Sequence, residues 1–431
     1  MKVAFCTLGC KVNSYESEVN MEIFKKHGYE IVSFDEKADV YVINTCSVTN
    51  TSDSKSRKMI REAVKKNDNA IVVVIGCYSQ IKYEEAASIE GVSIVIGTNN
   101  KSKIIDLIDE YKKTGKQIIK VDDLKNISFE NMKLGKFESH TRAFVKVQDG
   151  CNNYCTYCII PYTRGNVRSK PLDEVISEVT ELANNGYKEV VLTGIHTGHY
   201  GLDLENVDFS DLLNELEKID GLERIRISSV EVMELNEKFI NTLKNSKKIV
   251  NHIHIPLQSG SNTILKEMNR RYLMDEFYKR IEEIRKVRKN IAITTDVIVG
   301  FPGETDELFN ETVESIKKIG FTELHVFPYS PRVGTLAASM KNQIDGNVKK
   351  ERVKVLIELG KELQNNYYKS LEGTNEYLLT ENYKDGYLYG HLSNYGYARI
   401  KSDKNLTNHI FEVKLNKYEN ECYDAEIVKK I

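Results

Sequence analysis

Apolar runs and amphipathic stretches alternate along the first part of the chain. The strand candidates, rich in valine and isoleucine, are residues 2–10, 39–46, 70–77 and 92–97. Apolar residues recur at helical spacing between these strands, at residues 14–28, 51–67 and 84–89. Continuous apolar strands that alternate with helices are typical of a parallel sheet covered on both faces. We therefore expect an N-terminal α/β parallel-sheet domain over residues 1–125.

A second alternation begins near residue 142, after a lysine-rich stretch with one helix near 101–113 and then a linker. Six strand candidates are residues 143–150, 189–195, 224–231, 252–260, 292–303 and 323–330. Helix candidates lie near residues 172–185, 209–219, 235–245, 262–288, 304–318 and 345–370. An eightfold barrel would need two more strands. The pattern predicts an open, partial, TIM-like (βα)6 barrel over residues 137–368.

Residues 371–431 change character again. They contain short alternating runs and turn signals such as Lys384-Asp385-Gly386, which predict a small antiparallel β-barrel. Its tyrosines could stack on RNA bases, but tyrosine is also an ordinary strand residue. Acidic residues outnumber basic ones in this segment, so its charge does not favour RNA binding.

The bulk composition is that of an ordinary globular protein. The chain has 431 residues, 41% hydrophobic and 29% charged, which is enough for two or three domains. No apolar run approaches the roughly 20 residues that a membrane helix needs. The first residues predict a strand better than a signal peptide, so we expect a cytoplasmic protein.

Charge favours a nucleic-acid partner only locally. The net charge is −2, so any such site must be a patch. The second predicted helix carries a cluster of basic residues that includes Arg57 and Arg61. This cluster could contact phosphates, although a solvated lysine-rich helix is the more common explanation.

Three cysteines follow three separate predicted strands. Cys10, Cys46 and Cys77 each lie just past a carboxyl end, the edge at which open α/β sheets bind ligands. The chain has eight cysteines and no secretion signal, which favours metal binding or catalysis over disulfides. We expect these three thiols to converge on one site; the alternative is three buried apolar cysteines.

Three more cysteines occupy one loop. Cys151, Cys155 and Cys158 lie in GCNNYCTYCIIP, directly after the first barrel strand and so at the barrel mouth. The spacing differs from the paired C-x2-C hooks of structural zinc sites. His140 or a more distant histidine could still supply a fourth ligand, so a zinc site remains an alternative. Three thiolates around a [4Fe–4S] cluster would leave one iron free for an exchangeable ligand.

Other strand ends of the barrel carry small or polar groups. They are Thr193 with Gly194, Ser229 with Glu231, Gln258 with Ser259 and Gly260, and Gly300. Small residues let a ligand approach the backbone, and a carboxylate or amide could bind ribose or amino-acid groups. Glycines after strands are also common turn residues, so each position is a weak candidate by itself.

The run CNNYCTYC resembles the radical S-adenosylmethionine superfamily. The resemblance implies that the free iron chelates the amino and carboxylate groups of S-adenosylmethionine, and that Tyr157 lies near its adenine. It also implies cofactor contacts at the strand ends Thr193, Gly194, Glu231, Gln258 and Gly300.

Further motifs are similar to the methylthiotransferases of that superfamily, from end to end of the chain. They are TLGCKVNSYESE, NTCSVTN, IGCYSQ, CNNYCTYCIIPYTRG, LTGIHTGHYG, RISSVE, HIPLQSGS and DVIVGFPGET. This resemblance implies a second [4Fe–4S] cluster on Cys10, Cys46 and Cys77, and a C-terminal TRAM domain that binds RNA or substrate.

GCKVN and TGIHTGHYG resemble one branch of the family, which methylthiolates threonylcarbamoyladenosine (t6A) at tRNA position 37, beside the anticodon. The other branches act on isopentenyladenosine in tRNA or on an aspartate of a ribosomal protein. An unactivated adenine C2–H needs radical chemistry, which cofactors supply. The resemblance implies two S-adenosylmethionine molecules per product, an electron donor such as a flavodoxin or ferredoxin, a sulfur source, and no membrane.

Several arginines are candidate contacts for RNA phosphates or for the threonyl carboxylate of the substrate. They are Arg164, Arg168, Arg270, Arg271 and Arg332. Outside the family, the competing hypothesis is a zinc-containing RNA-binding protein without catalysis. An electron carrier is disfavoured by the barrel and by two incomplete sets of ligands.

Overall fold

The computed structural model describes residues 1–125, 127–133 and 141–431. His140 and the predicted start of the barrel domain at residue 137 lie outside the described residues. Among the described residues, no helix combines the length and apolar character that crossing a membrane requires.

The N-terminal part is a six-stranded parallel sheet in the order β2-β1-β3-β4-β5-β6. Its elements are β1 (Lys2–Thr7), α1 (Lys11–Lys26), β2 (Glu30–Val32), β3 (Val40–Thr45), α2 (Asn50–Lys66), β4 (Ile71–Gly76), α3 (Cys77–Ile81), α4 (Tyr83–Ala87), β5 (Val92–Ile96), α5 (Ile104–Thr114) and β6 (Ile118–Lys120). Phe24 of α1 and Ile104 of α5 pack on one face. Ile60 of α2 and Ala86 of α4 pack on the other. The prediction of a parallel sheet with two covered faces is confirmed.

The central part is an open, partial barrel, as predicted. Its elements are β7 (Arg142–Lys146), β8 (Gln148–Asp149), α6 (Ile160–Arg164), β9 (Arg168–Ser169), α7 (Leu172–Asn184), β10 (Glu189–Thr193), α8 (Phe209–Leu216), β11 (Arg224–Ile227), α9 (Glu237–Asn245), β12 (His252–His254), α10 (Asn262–Glu267), α11 (Met274–Val287), β13 (Ala292–Val299), α12 (Asp306–Ile319), β14 (Glu323–Pro328) and α13 (Gly346–Ser370). The parallel sheets β7-β10-β11 and β12-β13-β14 are joined by a parallel bridge between Ile225 and Ile249.

The prediction of one helix over residues 262–288 is wrong. The chain forms two helices, α10 and α11, separated by a turn at Asn269, whose φ is +59°. The amide of Asn269 donates to the Lys266 carbonyl and that of Arg270 to the Leu265 carbonyl, which is the Schellman pattern that ends a helix. The turn directs Arg270 toward the cysteine loop, where its Nη1 lies 3.5 Å from Sγ of Cys155.

The C-terminal part is a closed five-stranded barrel in the order β15-β16-β17-β19-β18. Its strands are β15 (Asn375–Lys384), β16 (Tyr387–Leu392), β17 (Tyr397–Lys401), β18 (Ile410–Glu419) and β19 (Cys422–Lys430). The predicted small barrel is confirmed, although β17 and β19 pair in parallel. Arg224, at the amino end of β11, donates to the carbonyls of His391 and Leu392 at 3.2 and 3.0 Å. The C-terminal barrel therefore lies against the end of the central barrel that is remote from the cysteine loop.

Candidate active site

The loop that carries Cys151, Cys155 and Cys158 lies at the carboxyl end of the central barrel. The amide of Cys151 donates to the Gly165 carbonyl at 3.0 Å, and that of Cys158 donates to the Cys155 carbonyl at 2.9 Å. The three thiols are free and half-buried. Cys155 and Cys158 line a cleft of about 520 Å³. Three soft thiol donors on one loop fit an iron–sulfur cluster with one exchangeable position.

A side chain at Gly150 is expected to disrupt the turn that begins this loop. Gly150 has φ +73°, and a Cβ there would lie 1.8 Å from the backbone oxygen of Asn166, which cannot move aside cheaply. Strained backbone alone costs about 1–3 kcal/mol. Gly150→Ala should therefore lower the free energy of unfolding by more than about 3 kcal/mol, as measured by urea denaturation.

Gly28→Ala is the matched control for this prediction. Gly28 has φ +79°, but beyond its two chain neighbours no atom of the described residues lies within 4 Å of an added Cβ. The control should show the backbone strain without the clash. Equal losses of stability in the two variants would contradict the explanation given for Gly150.

Arg270 and Glu231 lie beside the cysteine loop. Nη1 of Arg270 is 3.5 Å from Sγ of Cys155, and the same guanidinium forms an ion pair with Glu231. The turn after α10 and the end of β11 thus bring together two residues that are far apart in the sequence. Only 4% of the Arg270 side chain is exposed. Its position therefore does not favour the predicted RNA contact.

The other predicted cofactor contacts lie where the strands end. Thr193 is buried at the end of β10, and its hydroxyl is 3.3 Å from that of Ser228. A Cβ on Gly194 would lie 2.9 Å from Oε1 of Gln148. Close packing against Gln148 is therefore enough to explain a glycine at this position. Tyr157 is half-buried and packs against an apolar cluster that includes Phe301. Contacts of these residues with S-adenosylmethionine stay predictions.

Gln258 and Gly300 lie on the far half of the barrel. Gln258 has φ +60°, and its amide donates to the Asp296 carbonyl at 2.8 Å. The amide of Gly300 donates to Oε1 of Glu304 at 2.7 Å, and a Cβ there would lie 2.3 Å from Cγ of Lys349. Packing therefore explains the glycine at 300, and the predicted cofactor roles of both residues stay untested.

The second set of cysteines follows three neighbouring strands of the N-terminal sheet. Cys10 precedes α1, Cys46 follows β3, and Cys77 begins α3; Cys46 and Cys77 are buried, whereas Cys10 is exposed. A Cβ on Gly9 would lie 3.1 Å from Sγ of Cys46, so the loop after β1 closely approaches that thiol. Burial, and then the charge of Cys77, raises the pKa of Cys46. A metal that binds here would therefore have to displace the thiol proton.

Comparison with known proteins follows the same division of the chain. The model described as "Radical SAM superfamily" matches residues 145–316, and "Uncharacterized protein family UPF0004" matches residues 2–97. A protein of Bacillus subtilis (strain 168), the threonylcarbamoyladenosine tRNA methylthiotransferase MtaB, is 47% identical over 96% of this chain and 94% of its own length. The chain belongs to this methylthiotransferase family.

Two further comparisons define how broad the similarity is. The tRNA-2-methylthio-N(6)-dimethylallyladenosine synthase of Clostridium tetani (strain Massachusetts / E88) is 39% identical over 82% of this chain and 79% of its own length. The structure of the radical S-adenosylmethionine methyltransferase TsrM from Kitasatospora setae covers 78% of this chain and 76% of that chain, with a TM-score of 0.60 and 14% identity. The second likeness is one of fold.

Three of the arginines predicted to contact RNA or substrate lie inside this methylthiotransferase. Arg164, Arg168 and Arg332 are 0%, 7% and 4% exposed. Arg168 donates to the carbonyls of Arg164 and Asn166 at 2.8 and 2.9 Å. Arg332 lies 2.9 Å from Asp53 of α2 and so joins the central barrel to the N-terminal sheet. Their buried positions are at odds with RNA contacts, and the structure gives them internal partners.

The basic cluster on α2 has the opposite character. Arg61 is exposed, and Arg57 is half-buried with its Nη1 3.2 Å from Glu85. The amide of Asn50, at the start of this helix, donates to the Ser330 hydroxyl at 3.2 Å, just after β14. The basic helix of the methylthiotransferase therefore begins beside the central barrel.

Sequence reasoning did not single out a group of residues next to Cys151. Nδ1 of His196 lies 3.7 Å from the Cys151 sulfur, its Nε2 lies 2.8 Å from Glu234, and its ring stacks on that of His199. Burial lowers the pKa of each histidine to about 4. Both histidines belong to the motif TGIHTGHYG. This motif carries the family resemblance, but the sequence alone predicted no role for its histidines. A thiol with two imidazoles is also a possible zinc ligand set, which metal analysis distinguishes from iron.

Proposed function

We propose that this protein inserts a methylthio group at C2 of threonylcarbamoyladenosine 37 in tRNA. The observation that carries the proposal is the duplicated set of three free cysteines, each at the carboxyl edge of a parallel sheet. In the family to which the chain belongs, such an arrangement holds two [4Fe–4S] clusters, and S-adenosylmethionine is the co-substrate. When bound, the cluster and S-adenosylmethionine supply the radical that an unactivated C2–H requires.

The residues of the chain hold and orient these groups. Cys151, Cys155 and Cys158 would hold the cluster at the barrel mouth, where barrel enzymes do their chemistry. Cys10, Cys46 and Cys77 would hold the second cluster, which presents the sulfur. The C-terminal barrel lies against the opposite end of the central barrel, so the substrate base has to enter from the mouth, out of the anticodon-loop stack.

The tRNA would bind through charge and stacking at separate places. The exposed basic face of α2 is suited to phosphates, and it begins beside the central barrel. The C-terminal barrel, as a TRAM-like module, would bind RNA through its tyrosines rather than through net charge. The chemistry also requires an electron donor, such as a flavodoxin or ferredoxin, and a sulfur source, in a cytoplasmic setting.

Lys11 is our candidate for the group that recognises the threonyl carboxylate. It follows Cys10 directly, and its side chain is accessible to solvent although protein groups surround it. Burial, and then the positive charges of Arg226 and Arg142, lowers its pKa to about 8; the charges of Glu189 and Asp296 act in the opposite sense. These four residues lie on four barrel strands, so the Lys11 ammonium lies within electrostatic range of the barrel interior. Within the described ranges, no ion pair includes Lys11.

Lys11→Met should weaken the reaction with t6A-containing tRNA while leaving both clusters intact. Loss of a hydrogen bond between charged groups costs about 1.5–3 kcal/mol, so kcat/KM should fall roughly ten- to hundredfold. The measurement is steady-state methylthiolation together with iron content. Lys26→Met, on the exposed end of the same helix and paired with Glu22, is the control. An equal effect of the two substitutions would contradict the role of Lys11.

The proposed function is tested with the anaerobically reconstituted protein, S-adenosylmethionine and a chemical reductant. Three substrates are compared: tRNA with t6A, tRNA with isopentenyladenosine, and the aspartate-bearing ribosomal protein. Methylthio product from the first alone is expected. Product only from one of the others would overturn the choice of substrate, and a colourless protein containing zinc would overturn the enzyme itself.

A further inference from the structure

Arg164 is completely buried at the junction between the N-terminal sheet and the central barrel. It ends α6, the short helix that follows the Cys151–Cys158 loop. Its Nε donates to Sγ of Cys77 at 3.3 Å. The thiol and the arginine are 87 positions apart in the chain, and the contact joins one set of cysteines to the segment that carries the other.

The rest of the Arg164 guanidinium is held by other buried groups. Nη1 donates to Glu16 at 2.7 Å and to Asp149 at 3.3 Å. Nη2 donates to Oδ1 of Asn13 at 2.7 Å. Each edge of the planar fork therefore has a partner, which fixes its orientation toward Cys77.

Asn13 extends this contact to the remaining cysteines of the second set. Its amide nitrogen donates to the Leu8 carbonyl at 2.7 Å and to the Thr45 carbonyl at 3.1 Å. Leu8 lies two residues before Cys10, and Thr45 directly precedes Cys46. Arg164 thus contacts Cys77 directly and, through Asn13, supports the two loops that carry the other thiols.

The charge around Arg164 is positive overall. Lys101 and Lys146 approach Oε1 of Glu16 at 3.3 and 2.8 Å, and Lys146 lies 2.6 Å from Asp149. Lys101 also lies 3.7 Å from Glu130, and Arg168 lies 3.6 Å from Asp149, so Arg164 and three further cations face three carboxylates. Removing a charge here would leave others unpaired, which is strongly destabilising, whereas an anionic group at the nearby cysteines would be favoured.

We infer that Arg164 is a positioning residue for the second cluster, donating a hydrogen bond to its Cys77 sulfur and favouring its reduced form. This inference rests on the proposed function, since it requires a cluster on Cys10, Cys46 and Cys77. Hydrogen bonds to cluster sulfurs help to set reduction potentials. A donor stabilises the additional negative charge of the reduced cluster, so its loss makes reduction harder.

Arg164→Lys tests the inference with little change in charge. Lysine keeps the positive charge near Glu16 but lacks the planar fork that serves Glu16, Asn13 and Cys77 at once. In a redox titration of the two-cluster protein followed by electron paramagnetic resonance, one midpoint should move to a more negative potential. The other midpoint and the iron content should stay as in the unsubstituted protein.

Arg352→Lys is the matched control. Arg352 is also a buried arginine, paired with Glu304 and Asp306 at 2.7 Å, on α13. The Arg352→Lys substitution should leave the midpoint potentials of both clusters unchanged. Two unchanged midpoints in Arg164→Lys, or equal shifts of both, would overturn the inference while leaving the proposed function intact. An unsubstituted protein without a second cluster would overturn both.

A second measurement needs no substitution of Arg164. In the variant with Cys151, Cys155 and Cys158 replaced by alanine, only the second cluster should remain. Its reduced form should show a nitrogen coupling in pulsed electron paramagnetic resonance that changes when the arginines are labelled with 15N. A spectrum unaffected by the label would overturn the inference, even where Arg164→Lys fails to fold.

Discussion

Replacing Cys151, Cys155 and Cys158 together with alanine should abolish the cleavage of S-adenosylmethionine. These thiols are the proposed ligands of the barrel-mouth cluster, and without that cluster no electron should reach the co-substrate. Iron should fall from about eight to about four per chain, since each cubane holds four. Production of 5′-deoxyadenosine and of the methylthio nucleoside should both fall to background, as measured by liquid chromatography and mass spectrometry.

Cys422→Ala is the control for this triple substitution. Cys422 begins β19 in the C-terminal barrel, and its thiol lies 3.6 Å from the Tyr423 carbonyl, so a change there should leave iron and activity unaltered. Persisting production of 5′-deoxyadenosine in the triple variant would show that the radical is generated elsewhere.

Replacing Cys10, Cys46 and Cys77 with alanine should separate the two halves of the reaction. The barrel-mouth cluster is expected to remain, with about four irons per chain, so S-adenosylmethionine should still be cleaved under reducing conditions. The methylthio product should disappear, because the group that presents sulfur is lost. Iron analysis and quantification of both products on one sample give the answer.

The methylthio product could also be lost because the three substitutions damage the N-terminal sheet, and this explanation has to be excluded. Cys6 lies in the same sheet, within β1, and is half-buried, so Cys6→Ala serves as the control for general damage to this sheet. The account is contradicted by a triple variant that still makes methylthio product. It is equally contradicted by one that retains all its iron.

The fold was predictable where burial is reflected directly in residue type. The apolar runs at residues 39–46 and 70–77 correspond to β3 and β4, which are buried along their whole length. The edge strands β2 and β6 have three residues each and left no recognisable pattern. The break at Asn269 was missed because amphipathic spacing continues on both sides of it, and only the left-handed turn separates the helices.

Pairing direction was harder to predict in the C-terminal barrel. Alternation along a strand specifies which side chains face the core, but it is the same whether the neighbour runs parallel or antiparallel. The parallel pair β17–β19, with Ala398 opposite Tyr423, depends on how the barrel closes rather than on any local signal.

The site was predictable to the extent that chain geometry alone brings residues together. The carboxyl ends of β1, β3 and β4 are neighbours in any parallel sheet of this order, so Cys10, Cys46 and Cys77 could be grouped in advance. Arg164 could not be placed, because its partner Glu16 is 148 positions away. In the sequence YTRG, Arg164 is a plausible exposed contact for a phosphate. Only the tertiary structure shows that it is buried.

The most direct test of the central claim is the nucleoside composition of tRNA in cells. Total tRNA from a strain lacking the gene and from the same strain with the gene restored is digested and analysed by mass spectrometry. The account predicts t6A without its methylthio form in the first strain, and methylthio-t6A in the second. Methylthio-t6A absent from both strains, or present equally in both, would contradict it.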